Sequence, residues 1–207
     1  MENKLNTKDL ISIGIFTALY FVVVMIVAFV GYVPILMVIM PALCALFGAI
    51  PFMLFLTRTK KFGMVTIMGV LLALLTFLMG RPWPCLPIGI AAGLLADLYL
   101  KGTGYNSVKK STFGCGIFSL WLLGMALPLF FGYHDAYLQS LRSGYGDAYV
   151  ETLTRLTPDW MFWVLAVTIF VGGLLGGLVG TKILKKHFVK AGMACAHAVF
   201  SVRERGL

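Results

Sequence analysis

The residues able to do chemistry are most concentrated in one polar stretch, residues 133–158, and nothing else between Leu10 and Gly180 is as long and as charged. The stretch contains a histidine, acids, arginines and tyrosines: Tyr133, His134, Asp135, Tyr137, Arg142, Tyr145, Asp147, Tyr149, Glu151 and Arg155. His134 and Asp135 are adjacent, and adjacent residues do not share a face of a helix. The pair therefore does not predict a catalytic dyad.

A second polar feature is the turn at residues 80–87, in which three prolines prevent a regular helix. Arg81 and Trp83 belong to this turn, and the prolines restrict their positions. A guanidinium and an indole in a rigid turn suit recognition of a ligand by charge-assisted hydrogen bonds and stacking. The turn is therefore a candidate binding element.

Motifs of catalysis are missing from the sequence. The chain has no nucleophile elbow, HExxH motif, paired-glutamate motif or phosphate loop. Its four cysteines lack the paired spacing of a zinc site or a disulfide framework. An intramembrane enzyme would need Asp97 together with His134 or His187, which we expect on opposite membrane sides or at different depths. We therefore predict that the protein is not an enzyme and holds no metal and no cofactor.

The composition places the chain in a membrane. Hydrophobic residues make up 60% of the sequence and charged residues 12%, with a mean hydropathy of +0.94. A soluble domain is nearer half apolar and a quarter charged. Segments that cross lipid must satisfy their own backbone hydrogen bonds, which favours helices. We therefore predict an all-α integral membrane protein.

The apolar runs divide the chain into six predicted spans, of which the fourth is shorter than the roughly 20 residues needed to cross a bilayer. Their approximate bounds are residues 10–30, 34–56, 62–79, 86–100, 111–131 and 158–183. These spans form one membrane domain, residues 1–190, followed by a tail at residues 191–207. Within the loop at 133–158, Tyr149, Leu153 and Leu156 have the spacing of a short amphipathic helix, which Gly144 and Gly146 would interrupt.

The distribution of basic residues predicts the orientation. Fourteen lysines and arginines fall at the termini and in the two loops on the same side: Lys4, Lys8, Arg58, Lys60, Lys61, Lys101, Lys109, Lys110, Lys182, Lys185, Lys186, Lys190, Arg203 and Arg205. The other side has only Arg81, Arg142 and Arg155. Basic loops stay in the cytoplasm, so both termini are predicted to be cytoplasmic, and the polar loop and proline turn face outward. The net charge of +9 then reflects topology and the lipid surface, and predicts no nucleic-acid partner.

Small residues mark two helix faces for close packing. The last span contains Gly172, Gly173, Gly176, Gly177 and Gly180, which form two rows with the small-xxx-small spacing. These rows serve either packing inside the bundle or contact with a partner protein.

Apart from Asp159 at the very start of the last span, Asp97 is the only acid inside a predicted span, and it lies near the cytoplasmic end. An acid at membrane depth serves either structure or function. Lys101 follows four residues later, which predicts an ion pair between the two side chains.

Taken in order, several stretches of the chain resemble the substrate-binding (S) components of energy-coupling factor (ECF) transporters, and in particular the Trep_Strep or MptD-like family. The resembling segments are KDL at 8–10, GIFTALYF at 14–21, KFGM at 61–64 with Gly69, and KHFVKAG at 186–192. The resemblance covers nearly the whole chain and includes the six-span topology.

The resemblance implies a multi-pass protein of the bacterial plasma membrane. It would capture a small organic micronutrient, vitamin-like or an aromatic or tetrapyrrole compound, at an outward site. The implied partners are a transmembrane T component and two ATPase subunits, and the small-residue motif at Gly14 and Ala18 would dock to the T component. The polar loop would be a lid, with Gly144 and Gly146 as hinges.

A flat ring with a negative substituent would suit the aromatic and cationic residues of the outward side. The candidate substrate-binding residues are Arg81, Trp83, Tyr133, His134, Tyr137, Arg142 and Trp160. Trp160 also fits the belt of aromatic residues at a membrane interface. The alternative hypothesis is a membrane scaffold or assembly protein without a small ligand, which would use the glycine rows of the last span.

Overall fold

The structure is a computed structural model that describes residues 5–102, 104–105, 107–131 and 134–187. The predicted tail, residues 191–207, and Tyr133 lie outside the described residues. All regular structure in the described part is helical. The α-helices are α1 (Thr7–Ala28), α2 (Pro34–Leu56), α3 (Met64–Leu78), α4 (Cys85–Lys101), α5 (Val108–Ser119), α6 (Leu123–Ala126), α7 (His134–Tyr145), α8 (Asp147–Leu156) and α9 (Met161–His187).

Local sequence explains where the helices begin and end. Asn6 caps α1 in a capping box with Asp9, which satisfies amides that the first turn leaves unpaired. The predicted fifth span is interrupted by 3₁₀ turns at Leu120–Leu122 and Leu127–Leu129. Pro128 lies in the second of these turns, and a proline has no N–H to donate to a regular helix.

Four helical segments are long and apolar enough to cross a membrane. They are Thr7–Tyr32, Ile35–Leu56, Val108–Leu129 and Met161–Leu184. The helices α3 and α4 are shorter, about 23 and 26 Å at 1.5 Å per residue, against a hydrocarbon core of about 30 Å. The all-helical membrane fold is therefore confirmed, whereas the count of six spans and the orientation of the termini stay predictions.

The helix α9 packs between α2 and α5 through its glycines. Gly172, Gly176 and Gly180 face α2, and Gly173 and Gly177 face α5. A Cβ added at Gly172 would lie 2.7 Å from the Ala42 carbonyl oxygen, too close for any side chain. Both glycine rows therefore lie at helix contacts within the described bundle.

The two ends of the bundle differ in character. One end, called here the basic end, holds the start of α1, the 57–63 turn and the 101–107 turn. Lys61 Nζ lies 2.8 Å from Asp9 Oδ2 there and joins the 57–63 turn to α1. The opposite end, called the loop end, holds the turns at 29–33 and 79–84 and the segment 130–160.

Candidate functional site

The polar stretch predicted as a loop forms two short helices, α7 and α8, called here the hairpin. Leu138 and Leu141 of α7 are buried, as are Tyr149 and Leu153 of α8, whereas the acids and arginines of both helices are exposed. Each helix thus places one apolar face on the loop end of the bundle. The two helices meet at Gly146, whose φ of +85° and ψ of 166° lie in a region open essentially to glycine alone.

One tyrosine ties the hairpin to the bundle. The Tyr149 hydroxyl donates to the Gly31 carbonyl oxygen at 2.6 Å and lies 2.7 Å from Met37 Sδ. Burial raises the pKa of Tyr149 to about 12, with a smaller contribution from Tyr145. The side chain therefore stays a neutral donor, and it links α8 to the 29–33 turn and to α2.

A cavity lies between the hairpin and the loop end of the bundle. It comprises about 450 Å³ of empty space, a figure that includes the solvent at its open mouth. Its lining residues come from α2, the proline turn, the α6 region, the hairpin and α9: Met37, Val38, Met40, Pro41, Arg81, Met125, Ala126, Leu129, Tyr137, Leu153, Thr157 and Leu165. The hairpin and the segment just after it supply three of them (Tyr137, Leu153, Thr157), so this region forms one wall.

Arg81 from the proline turn and Tyr137 and Thr157 from the hairpin region supply the polar side chains of the cavity lining. The Thr157 hydroxyl donates to the Leu153 carbonyl oxygen at 2.8 Å, so it is occupied within α8. The Arg81 guanidinium lies near enough to the Tyr137 hydroxyl to act on its ionisation. Burial raises the pKa of the Tyr137 hydroxyl, and the Arg81 charge opposes that rise. A guanidinium with a tyrosine hydroxyl beside it can bind an anionic oxygen.

The structure places some of the predicted substrate-binding residues in the cavity lining and others outside it. Arg81 and Tyr137 line the cavity. Trp83 and Trp160 are 54% and 63% exposed and are not among its lining residues. Arg142 is also outside the lining, exposed and 3.6 Å from the Asp147 carboxylate.

Tyr133 lies outside the described residues, and so does the side chain of His134, which begins α7.

Sequence reasoning did not predict the apolar residues of α2 and α6 that line the cavity. Met37, Met40 and Pro41 lie in a span where nearly every residue is apolar, so no contrast in polarity marks them. The available signal is a proline inside a helix, which removes a backbone hydrogen bond and often marks a functional irregularity. Met125 carries no comparable signal.

The Gly14 and Ala18 motif lies on the outside of the bundle. Both residues are exposed on α1, and a Cβ added at Gly14 would meet no atom within 4 Å. Large apolar side chains surround them, including Leu10, Ile11 and Ile15, all more than half exposed. This face is therefore open to lipid or to another protein.

Asp97 forms a buried network at the basic end. Its Oδ2 accepts hydrogen bonds from the Gly63 and Thr66 amides at 2.8 and 3.1 Å and from the Thr66 hydroxyl at 2.9 Å. Its Oδ1 accepts from the Tyr105 hydroxyl at 2.6 Å. The predicted pair with Lys101 does not form, because Lys101 Nζ lies 4.7 Å from the centre of the Phe62 ring. The carboxylate instead caps the first turn of α3.

No group of three histidine, cysteine, aspartate or glutamate side chains with metal-binding geometry occurs among the described residues. The arrangement offers no nucleophile activated by a base within the part of the chain that the structure describes. What the loop end provides is a cavity with mostly apolar lining and one guanidinium, that of Arg81.

The fold defines an all-helical integral membrane protein, and a cavity lies at one end of its bundle. The chain belongs to Trep_Strep, a family of hypothetical bacterial integral membrane proteins, whose model matches residues 7–190. No curated protein and no solved structure matches the sequence.

Proposed function

We propose that the protein is the substrate-capture subunit, or S component, of an ECF-type importer in the bacterial plasma membrane. It would bind a small organic micronutrient in the cavity at the loop end. The observation that carries the proposal is the cavity itself, closed on one side by the hairpin and containing Arg81 and Tyr137.

In this proposal the chain crosses the membrane six times, with both termini and the basic end in the cytoplasm and the loop end outside. The excess of lysine and arginine at the basic end supports this orientation. The hairpin then faces the compartment from which a nutrient arrives, and it must move for a ligand to enter the enclosed part of the cavity.

Delivery would occur by docking to a T component, with ATP hydrolysed by two partner subunits. The exposed face around Gly14 and Ala18 supports this step, because small residues on an open helix face allow a second helix to approach closely. The glycines of α9 support the scaffold alternative less well, since both of their rows are covered by α2 and α5.

The Gly14→Leu variant tests the proposal. The new side chain would project from an open surface and leave the bundle intact, so ligand binding should persist while uptake and co-purification with the T component fall by about tenfold or more. Gly14→Ala is the matched control, because it keeps the small surface and should preserve uptake. Unchanged uptake by Gly14→Leu would show that this face does not dock.

Native mass spectrometry of the purified wild-type protein tests the binding step separately. A small organic compound carried through purification is expected. A protein that carries no ligand, shows no thermal shift with vitamins or tetrapyrroles, and purifies without ATPases would favour the scaffold hypothesis.

A further inference from the structure

The charge of the cavity restricts what can bind there. Arg81 is the one charged side chain among the described lining residues, and it is only partly exposed. A guanidinium beside apolar walls loses part of its hydration, so its charge favours a compensating anion. The described residues provide Arg81 with the neutral Tyr137 hydroxyl and with no carboxylate.

The acids of the loop end are all directed elsewhere. Asp147 and Glu151 lie near Arg142 and Arg155 on the outer surface, with side chains 93% and 75% exposed. Asp135 and Asp159 are also exposed. No acid of the hairpin is therefore placed in the cavity to neutralise Arg81, although four acids occur in the neighbouring sequence.

The rest of the wall is aliphatic or thioether in character. Met37, Met40 and Met125 are flexible and adapt to irregular apolar shapes, and Leu129 and Leu165 extend the apolar surface. Tyr137 is the one aromatic side chain among the described lining residues. A wall of this kind offers van der Waals contact to a hydrocarbon body but no pair of rings between which a planar ligand could stack.

We infer that the ligand is a free aliphatic or alicyclic monocarboxylate. Its carboxylate binds Arg81 and the Tyr137 hydroxyl, and its hydrocarbon body lies against Met37, Met40 and Met125. This inference rests on the proposed function for its biological meaning and deepens it by naming the substrate class. It keeps the negative substituent expected from the sequence and replaces the flat ring with an aliphatic body.

Three probes with the same chain and different head groups test the inference on the unmodified protein. Octanoate, octanamide and octylamine are titrated calorimetrically into the full chain in phosphatidylcholine nanodiscs, with empty nanodiscs subtracted. Octanoate is expected to bind at least about tenfold more tightly than the other two compounds, because only its carboxylate can form a charge-assisted hydrogen bond with the partly buried guanidinium. Equal or tighter binding of octanamide or octylamine overturns the inference.

Variants test whether the preference for octanoate depends on Arg81. Arg81→Gln should weaken octanoate binding by about tenfold or more, and Arg81→Lys should restore part of it as a point charge without the bidentate fork. Arg142→Gln is the matched control, because it removes the same charge from the outer surface of the hairpin and should leave the Kd unchanged. Loss of binding in Arg142→Gln equal to that in Arg81→Gln would show a general surface attraction and contradict the site.

Three further results separate a free acid from a lipid headgroup, and the ligand class from the importer role. Competition by phosphatidylglycerol, added to the nanodiscs, would identify the occupant as a lipid headgroup and overturn the free-acid assignment. If Arg81→Gln still supports uptake of a neutral or cationic nutrient, the ligand class is wrong while the importer role stands. If octanoate binding depends on Arg81 but no T component associates, the ligand class stands and the importer role falls.

Discussion

At the residue scale, Asp97 shows how a buried charge is made tolerable in an apolar bundle. Its side chain is fully buried, and it accepts hydrogen bonds from two backbone amides and two hydroxyls. Such hydrogen bonds offset the hydration that a carboxylate loses on burial. Burial raises the pKa of Tyr105, and its hydrogen bond to Asp97 adds to that rise. The network fixes α3, α4 and the 101–107 turn to one another.

Replacing Asp97 with Asn should therefore lower the stability of the protein. The amide can keep one oxygen acceptor but loses the charge and cannot accept on both sides, which should cost about 2 kcal/mol. Thermal unfolding in detergent measures the loss. Glu151→Gln makes the same chemical change at an exposed surface pair and should shift stability by less than about 0.5 kcal/mol. Normal stability of Asp97→Asn with loss of uptake would instead give Asp97 a functional role.

At the scale of elements, the turn between the two helices of the hairpin depends on the backbone conformation of Gly146. Gly144 lies inside α7, exposed and with no atom within 4 Å of an added Cβ, so its replacement meets no obstacle. Gly146 has a positive φ of 85° and separates the two helices. Of the two glycines predicted as hinges, only Gly146 has a backbone conformation that requires glycine.

Gly146→Ala should loosen the hairpin while Gly144→Ala should not. Alanine at residue 146 would be strained by about 1–3 kcal/mol, whereas alanine at residue 144 should stabilise the helix slightly. Hydrogen exchange of the α7 and α8 amides measures the difference, with faster exchange expected only in Gly146→Ala. Equal exchange in the two variants would mean that this turn does not control the hairpin.

At the scale of the whole molecule, exposed residues at the two ends of the bundle make its orientation in the membrane testable. Ser140 lies on the hairpin and Met79 at the end of α3, so both belong to the loop end, whereas Lys60 belongs to the basic end. All three are exposed. With the loop end outside, α3 must cross the bilayer despite its length of about 23 Å, and a short span is accommodated by local thinning of the membrane, by flanking residues that extend to the interface or by association with other helices.

Single cysteines at these positions should report the topology. In intact cells an impermeant maleimide is expected to label Ser140→Cys and Met79→Cys, and to label Lys60→Cys only after permeabilisation. Cys44, Cys85 and Cys115 are buried and should give little background. The fourth cysteine, Cys195, is replaced by serine in all three variants, so that only the introduced thiol reports. Labelling of Lys60→Cys alone in intact cells would reverse the orientation. Protection of Met79→Cys with labelling of Ser140→Cys would contradict the crossing of α3.

The sequence by itself determined the membrane class and most helix positions. Hydropathy and backbone hydrogen bonding leave an apolar chain few alternatives to a helical bundle. The predicted second span, residues 34–56, coincides with α2 (Pro34–Leu56), because a proline begins the helix and a basic turn follows it. Charge counting predicted an orientation, and labelling can test it.

Only the tertiary structure decided which residues share a site. It brought Arg81 and Tyr137 together with three methionines, and it left Trp83, Arg142 and Trp160 outside the cavity lining. The sequence could not reveal this grouping, because polarity marks a residue only where its neighbours differ. Inside an apolar span every position looks alike, and only helix packing determines which side chains face lipid, the bundle or a cavity.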